Sequence, residues 1–227
     1  ELDVKFSLRK ARFVVAKALR QPTQARAQRT RQALLEATAL EFSERGYAAT
    51  TSKSIAARAK VATGSFYQYF SNKDLALREL ARLRIDRLEG GALGLLPSPD
   101  STAALDREAL IPALRGIVDL VVQQHRADPG LHAVLSERRH ADPDLDTMTT
   151  AFEARLIDRA SEWLALWQSP GDHKATAFIL FGMLEGSIHS HVLGHPQVSD
   201  ERFTRTLVES LVRVARPDLY QPQPAPV

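Results

Sequence analysis

The chain has 227 residues with 30 Lys and Arg against 27 Asp and Glu, a formal charge of +3, which is enough length for one large domain or two modest ones. The charge is unevenly placed, with 17 Lys and Arg against 8 Asp and Glu up to Asp86 and 13 against 19 beyond it, net +9 and −6, so a polyanion partner is expected for the first part alone. Cysteine is absent, which excludes disulfides and thiolate metal sites and fits a reducing cytoplasm; no apolar run reaches the ~18 residues of a membrane span, and no secretory cleavage site follows the first apolar stretch.

Glu1 stands where an initiator Met is expected, so residues upstream of it are expected. Leu2 to Arg20 mixes Leu8, Phe13, Val14, Val15 and Leu19 with six Lys and Arg. This basic N-terminal extension, residues 1–22, reads as a DNA-reaching arm, a membrane-surface helix or a poorly ordered tail. Pro22 and Thr23 punctuate, and a helix to about Arg45 follows, with Leu34, Thr38 and Phe42 along one face and Leu35 and Ala39 broadening it. Gly46 supplies a C-cap residue for which positive φ is cheap. Arg26, Arg29 and Arg31 crowd the expected first turns, where the dipole disfavours cations and a phosphate backbone would favour them.

Thr51 to Lys73 carries the strongest local signal. Thr51 is a good N-cap, and Ile55, Ala56 and Ala59 make a narrow apolar stripe for a two-turn helix. After a turn at Lys60 and Val61, Phe66 and Phe70 are four apart and can close over that stripe, which leaves Thr63, Ser65, Gln68 and Tyr69 pointing outward. That set is polar and free of acids, as expected of a helix-turn-helix whose second helix enters a major groove. Ser71 to Asp74 reads as a capping box for the next helix, with Lys73 placed in its first turn.

Leu34, Thr38, Phe42, Gly46, Thr51, Ile55, Ala56, Val61, Gly64, Phe66, Tyr67, Phe70, Lys73 and Leu77 resemble the DNA-binding domain of tetracycline-repressor (TetR) type transcriptional regulators. The match spans Arg29 to Leu80, and Gly64 to Lys73 (GSFYQYFSNK) is its specific part. One position departs from the pattern: Lys60 stands where the family commonly has glycine, and a side chain at positive φ costs about 1 kcal/mol or more. Gln68 can pair with adenine, Ser65 can read either base type, and Thr63 can read a base or bond a phosphate. Gly64 allows close backbone approach. Tyr67, Tyr69, Ser52, Lys53 and Lys73 resemble family positions that bond phosphates.

A helix from Lys73 towards Leu88 should end near Gly90 and Gly91, and in the family it joins the DNA-binding domain to the regulatory body. Leu95 to Thr102 (LLPSPDST) has linker composition. Helices are then expected over Asp106 to His125, through Leu131 to Leu135, from Asp142 to about Trp167, from Asp172 to Leu193 and from Ser199 to Ala215, ahead of a Pro-rich tail. The fold expected is all-α, about nine helices, with domains at residues 23–80 and 81–216 and a tail at 217–227.

Met148, Phe152, Leu156, Trp163, Trp167, Phe178 and Phe181, with His189 as a polar anchor, are candidates to line an effector cavity between bundle helices. Gly182 and Gly186 permit close helix approach, and Phe203, Leu207, Leu211 and Val214 form a stripe on the final helix. The resemblance implies a four-helix dimer interface there. His189, His191 and His195 lack matching carboxylates or Cys and suit no metal site, so no metal and no cofactor is expected. Catalysis has no motif. The sequence therefore reads as a ligand-responsive homodimeric regulator, a repressor of a double-stranded palindromic operator released by a small apolar effector. An architectural DNA-binding protein and a helical enzyme are the alternatives.

Overall fold

A computed structural model describes residues 2–95 and 107–219, with side chains described from Gln24 onward apart from those of Leu93 and Arg107. Nine α-helices and no strand are found among the described residues: α1 (Leu2–Ala49), α2 (Ser52–Arg58), α3 (Thr63–Tyr67), α4 (Lys73–Leu95), α5 (Arg107–Ala127), α6 (Pro129–Arg139), α7 (Pro143–Leu166), α8 (His173–Val192) and α9 (Asp200–Ala215). The chain divides into two units, Glu1–Leu80 and Ala81–Val227. Most of the expected linker and the tail from Tyr220 lie outside the described residues, and Pro217–Leu219 forms a 3-10 turn rather than unstructured tail.

The first unit is built on the apolar face of α1. Leu34, Leu35 and Phe42 are buried with Ile55 and Ala56 of α2, Phe66 of α3, Phe70, and Ala76 and Leu77 of α4. Thr38 sits inside this core without cost because its Oγ1 donates to the Leu34 carbonyl at 2.6 Å. At its rim the buried Glu41 accepts from Arg58 Nε at 2.7 Å, and Arg58 Nη1 reaches Glu44 at 2.9 Å. The Ser54 hydroxyl and the Arg58 guanidinium hold the Glu41 carboxyl below the usual carboxylate range, against the burial that raises it.

Helix boundaries follow local chemistry, with two departures from expectation. α1 does not begin after Pro22: its backbone is helical from Leu2. The helical geometry breaks at Gly46 (φ 71), where only glycine takes positive φ cheaply. α4 runs past Gly90 and Gly91 to Leu95, and Gly91 serves close approach instead, because a Cβ there would lie 2.8 Å from Leu120 of α5.

In the second unit Asp128, Asp142, Asp172 and Ser199 cap α6, α7, α8 and α9 through their side chains. One core joins Val118 and Val121 of α5, Ile188 of α8, and Leu207, Val208 and Leu211 of α9. A smaller cluster joins Leu164, Ala177 and Ala215.

The turn after α2 is as tight as one with glycine. Val61 N donates to Ala56 O at 3.0 Å and Lys60 N to Ala57 O at 3.1 Å, the paired bonds of a Schellman cap. This geometry forces Lys60 to φ 56, so the turn carries the left-handed strain. Lys60→Gly should stabilise the first unit by about 0.5–1 kcal/mol, the relieved strain exceeding the entropy that glycine adds to the unfolded chain. Thermal unfolding should show a midpoint a few degrees higher; an unchanged or lower midpoint contradicts the strain.

Candidate functional site

Two helices of seven and five residues, α2 and α3, are too short to hold their shape without the core beneath them. Thr51 and Ser54 close a capping box on α2, Ser54 N donating to Thr51 Oγ1 at 3.0 Å and Thr51 N to Ser54 Oγ at 3.1 Å. α3 is pinned by Phe66 at 0% exposure and Phe70 at 4%, their rings 5.7 Å apart.

With those rings inward, Thr63, Gly64, Tyr67 and Gln68 are exposed, and Ser65 and Tyr69 are half-buried beside them. Tyr67 does two things: its ring packs edge-on against Phe66 at 5.5 Å, yet it stays 56% exposed. Lys53 is exposed on α2 and Ser52 is half-buried. These residues make a face of hydroxyls, an amide and an ammonium with no carboxylate, the donor and acceptor set that base edges and phosphates require.

Lys73 also has partners within the chain. Its Nζ donates to the carbonyls of Tyr47 at 2.7 Å and Thr50 at 2.9 Å and lies 3.9 Å from the Tyr47 ring centroid. The break at Gly46 leaves those carbonyls beyond the regular part of α1, and the ammonium takes them. The Tyr47 hydroxyl donates to Asp74, so Asp74 does not complete a capping box; Asn72 caps α4 instead, accepting from Leu75 N at 2.9 Å. Arg31 pairs with Glu79 at 2.6 Å and lies over Phe70. Since α1 extends back to Leu2, the dipole argument for Arg26 and Arg29 lapses, though both are exposed.

The second unit holds two adjoining cavities that share Leu88, Phe152, Phe181 and Glu185. One, of about 360 Å³, has a polar wall with Arg84, Arg139, Glu153 and three histidines. The other, of about 150 Å³, is lined by Leu156, Trp163, Trp167 and other apolar side chains. Of the effector candidates, Phe152 and Phe181 line both, Leu156, Trp163 and Trp167 the apolar one, and His189 the polar one. Met148 is half-buried and lines neither, and Phe178 is 64% exposed on the surface. α7 and α8 each present more than one apolar face, and spacing alone does not say which face meets a void.

His189 and His191 diverge, as their spacing implies, and the cluster that His189 does join was not foreseen. His191 Nε2 donates to Asp200 at 2.8 Å and its ring stacks on Phe203, whereas His189 joins His125 of α5 and His132 of α6, far from it in sequence. Of the interface candidates, Gly182 and Gly186 are exposed with open space above them. Leu207 and Leu211 are instead packed inside the chain's own core against α5 and α8. Phe203 and Val214 are half-buried. Ile179, beside Phe178, is 53% exposed.

Two family models match the chain: bacterial regulatory proteins, tetR family, over residues 34–80, and a tetracyclin repressor-like C-terminal domain over residues 110–215. The structure is similar to that of a TetR-like transcriptional regulator from Rhodococcus sp. RHA1 (22% identity, 84% of this chain and 95% of that one, TM-score 0.61). It is also similar to the fatty acid degradation regulator FadR from Bacillus halodurans (19%, 80% and 93%, TM-score 0.61). A third similar structure is that of AibR in complex with isovaleryl coenzyme A and operator DNA (18%, 80% and 97%, TM-score 0.59). No match was found among curated proteins. At these identities the structural likeness shows the fold.

The clamp made by Lys73 carries its own test. Lys73→Met should lower the stability of the first unit by about 1–3 kcal/mol, since two carbonyls lose a charged donor. Denaturant unfolding without DNA measures it; full stability would mean that the lysine serves DNA alone.

Proposed function

Because the chain belongs to the tetR family of bacterial regulatory proteins and is thus a DNA-binding transcription regulator, we propose that it is an effector-responsive homodimeric repressor acting on a palindromic operator. The observation that carries this reading is the acid-free face of Thr63, Gly64, Ser65, Tyr67, Gln68 and Tyr69, turned outward by the burial of Phe66 and Phe70. Gln68 reads a base edge, with Ser65 and Thr63 beside it, while Tyr67, Tyr69, Ser52 and Lys53 hold phosphates. Lys73 acts chiefly from within, by fixing the start of α4.

A single headpiece covers little groove, and a twofold pair engages half-sites about one helical turn apart. The face that supports pairing lies on α8, where Phe178 and Ile179 are exposed and Gly182 and Gly186 leave room for a second backbone. Large apolar side chains held this open to water favour a second copy.

The adjoining cavities support a small, mainly apolar effector with a polar end. Trp163 Nε1 is buried without a hydrogen-bond partner and Trp163 lines the apolar cavity, so an acceptor on the effector would satisfy it. The AibR structure, which holds an acyl coenzyme A and operator DNA together, lends support to a paired function of this kind. Effector and operator then oppose each other by linkage, each lowering the other's affinity by the same factor. α4 belongs to both units along its length, with Lys73 in one and Arg84 in the other.

Two measurements test the reading. On a site selected from random duplexes, Gln68→Ala should cost about 1–3 kcal/mol and relax one position, while Lys53→Ala weakens selected and random DNA alike and flattens the salt slope by about one unit per protomer. Equal losses for both variants on both DNAs would indicate an architectural binder instead. In sedimentation, the double substitution Phe178→Asp and Ile179→Asp should convert a dimer to a monomer, each side chain giving up about 1.5–3 kcal/mol of burial; an unchanged dimer places the interface elsewhere.

A further inference from the structure

Four helices bring Arg84, His125, His132 and His189 to the wall of the larger cavity. One ligand-capable atom from each histidine lies within 4.8 Å of the other two, and the ring centroids are 4.5 Å (His125 to His132), 5.4 Å (His132 to His189) and 6.2 Å (His125 to His189) apart.

The tautomers follow from the partners. His125 is 3% exposed, and its Nδ1 lies 2.9 Å from the Val121 carbonyl, which only accepts. Nδ1 therefore carries the proton, and Nε2 presents a lone pair into a place where it has no hydrogen-bond partner. A backbone carbonyl on one ring nitrogen with the other left open is the arrangement that orients metal-ligating imidazoles. Across from that lone pair, at 3.5 Å, stands Glu185 Oε2. A metal ion placed between these two acceptors would use a lone pair from each.

His132 is set differently. Arg84 Nη2 lies 3.0 Å from its Nδ1, and a guanidinium only donates, so Nδ1 accepts and Nε2 carries the proton, buried and unpartnered. The His132 ring is half-buried against the Arg84 guanidinium. Burial lowers the pKa of Arg84, while Glu185 and Asp128 favour its charge and Arg87 opposes it.

We propose that His125, His132 and His189 form a binding site for a first-row divalent transition-metal ion, with Glu185 as fourth donor, and that Arg84 holds His132 until the ion displaces it. Three neutral imidazoles and one carboxylate suit Zn²⁺, Co²⁺, Ni²⁺ or Cu²⁺, whereas Mg²⁺ and Ca²⁺ prefer oxygen alone. Tetrahedral zinc at about 2.0–2.1 Å from each nitrogen sets the nitrogens roughly 3.3 Å apart, so the rings close by roughly 1.5 Å at most. His189, the exposed member of the three, is the one with room to turn inward. Arg84 must leave, because His132 cannot offer a lone pair to the ion while Nδ1 accepts from the guanidinium and Nε2 bears the proton.

The test is Co²⁺ titration of the chelator-treated, tag-free full chain, followed by visible absorption and by Zn²⁺ competition in calorimetry. One Co²⁺ per chain with the strong bands of a tetrahedral ion, displaced by Zn²⁺, is expected. His189→Ala and His132→Ala should weaken binding at least about tenfold, and His195→Ala, away from the cluster, should not. Arg84→Met should bind more tightly than the parent chain by about tenfold, which neither misfolding nor a merely structural arginine produces. No Co²⁺ bands in either the parent chain or Arg84→Met, or the same affinity after His132→Ala and His189→Ala, would overturn the site. DNA is absent from every arm, so the outcome is independent of the operator reading.

Discussion

The burial of Phe66 and Phe70 is the constraint on which the first unit turns. One ring on a helix of five residues, with a second three residues past its end, leaves that helix no freedom about its own axis. Whatever α3 offers outward is decided by what those rings occupy inward, and the floor they occupy is the face of α1 around Leu34 and Phe42 with Ile55 and Ala56 of α2. The Schellman turn at Lys60 and the capping box at Thr51 fix the ends of α2, so the angle between the short helices is a property of the turn as much as of the core.

That economy explains why this part of the chain was legible from its sequence. Caps, small residues and a pair of aromatic rings act over a few positions, and their chemistry is local. The capping box expected at Ser71 to Asp74 failed because its residues have partners far along the chain. Nothing in Ser71 to Asp74 reveals that Tyr47 claims Asp74 or that the carbonyls of Tyr47 and Thr50 claim Lys73. The result is a different cap, Asn72, three residues before the amide it serves.

In the second unit helices were readable and their faces were not. Leu207 and Leu211 and the pair Phe178 and Ile179 look alike as apolar positions on periodic segments, yet the first pair is core and the second is surface. A protein core and a subunit interface draw on the same residues, and a single sequence carries no sign of which will find a neighbour within the chain. The histidines show both sides of this limit: His189 and His191, two apart on one helix, diverge as their spacing implies, while His125 and His132 approach His189 only because α5, α6 and α8 surround one cavity.

The clamp at Lys73 has a kinetic consequence. A flexible lysine on the surface must surrender up to about 2 kcal/mol of rotamer freedom whenever it settles against a partner. Lys73 has settled already, on the carbonyls of Tyr47 and Thr50, while remaining partly open to solvent. Its charge is stationary, and a stationary charge projects a steady field over the ~8 Å that physiological salt permits. An approaching polyanion would thus meet an attraction already oriented, and would feel it before any side chain had to move.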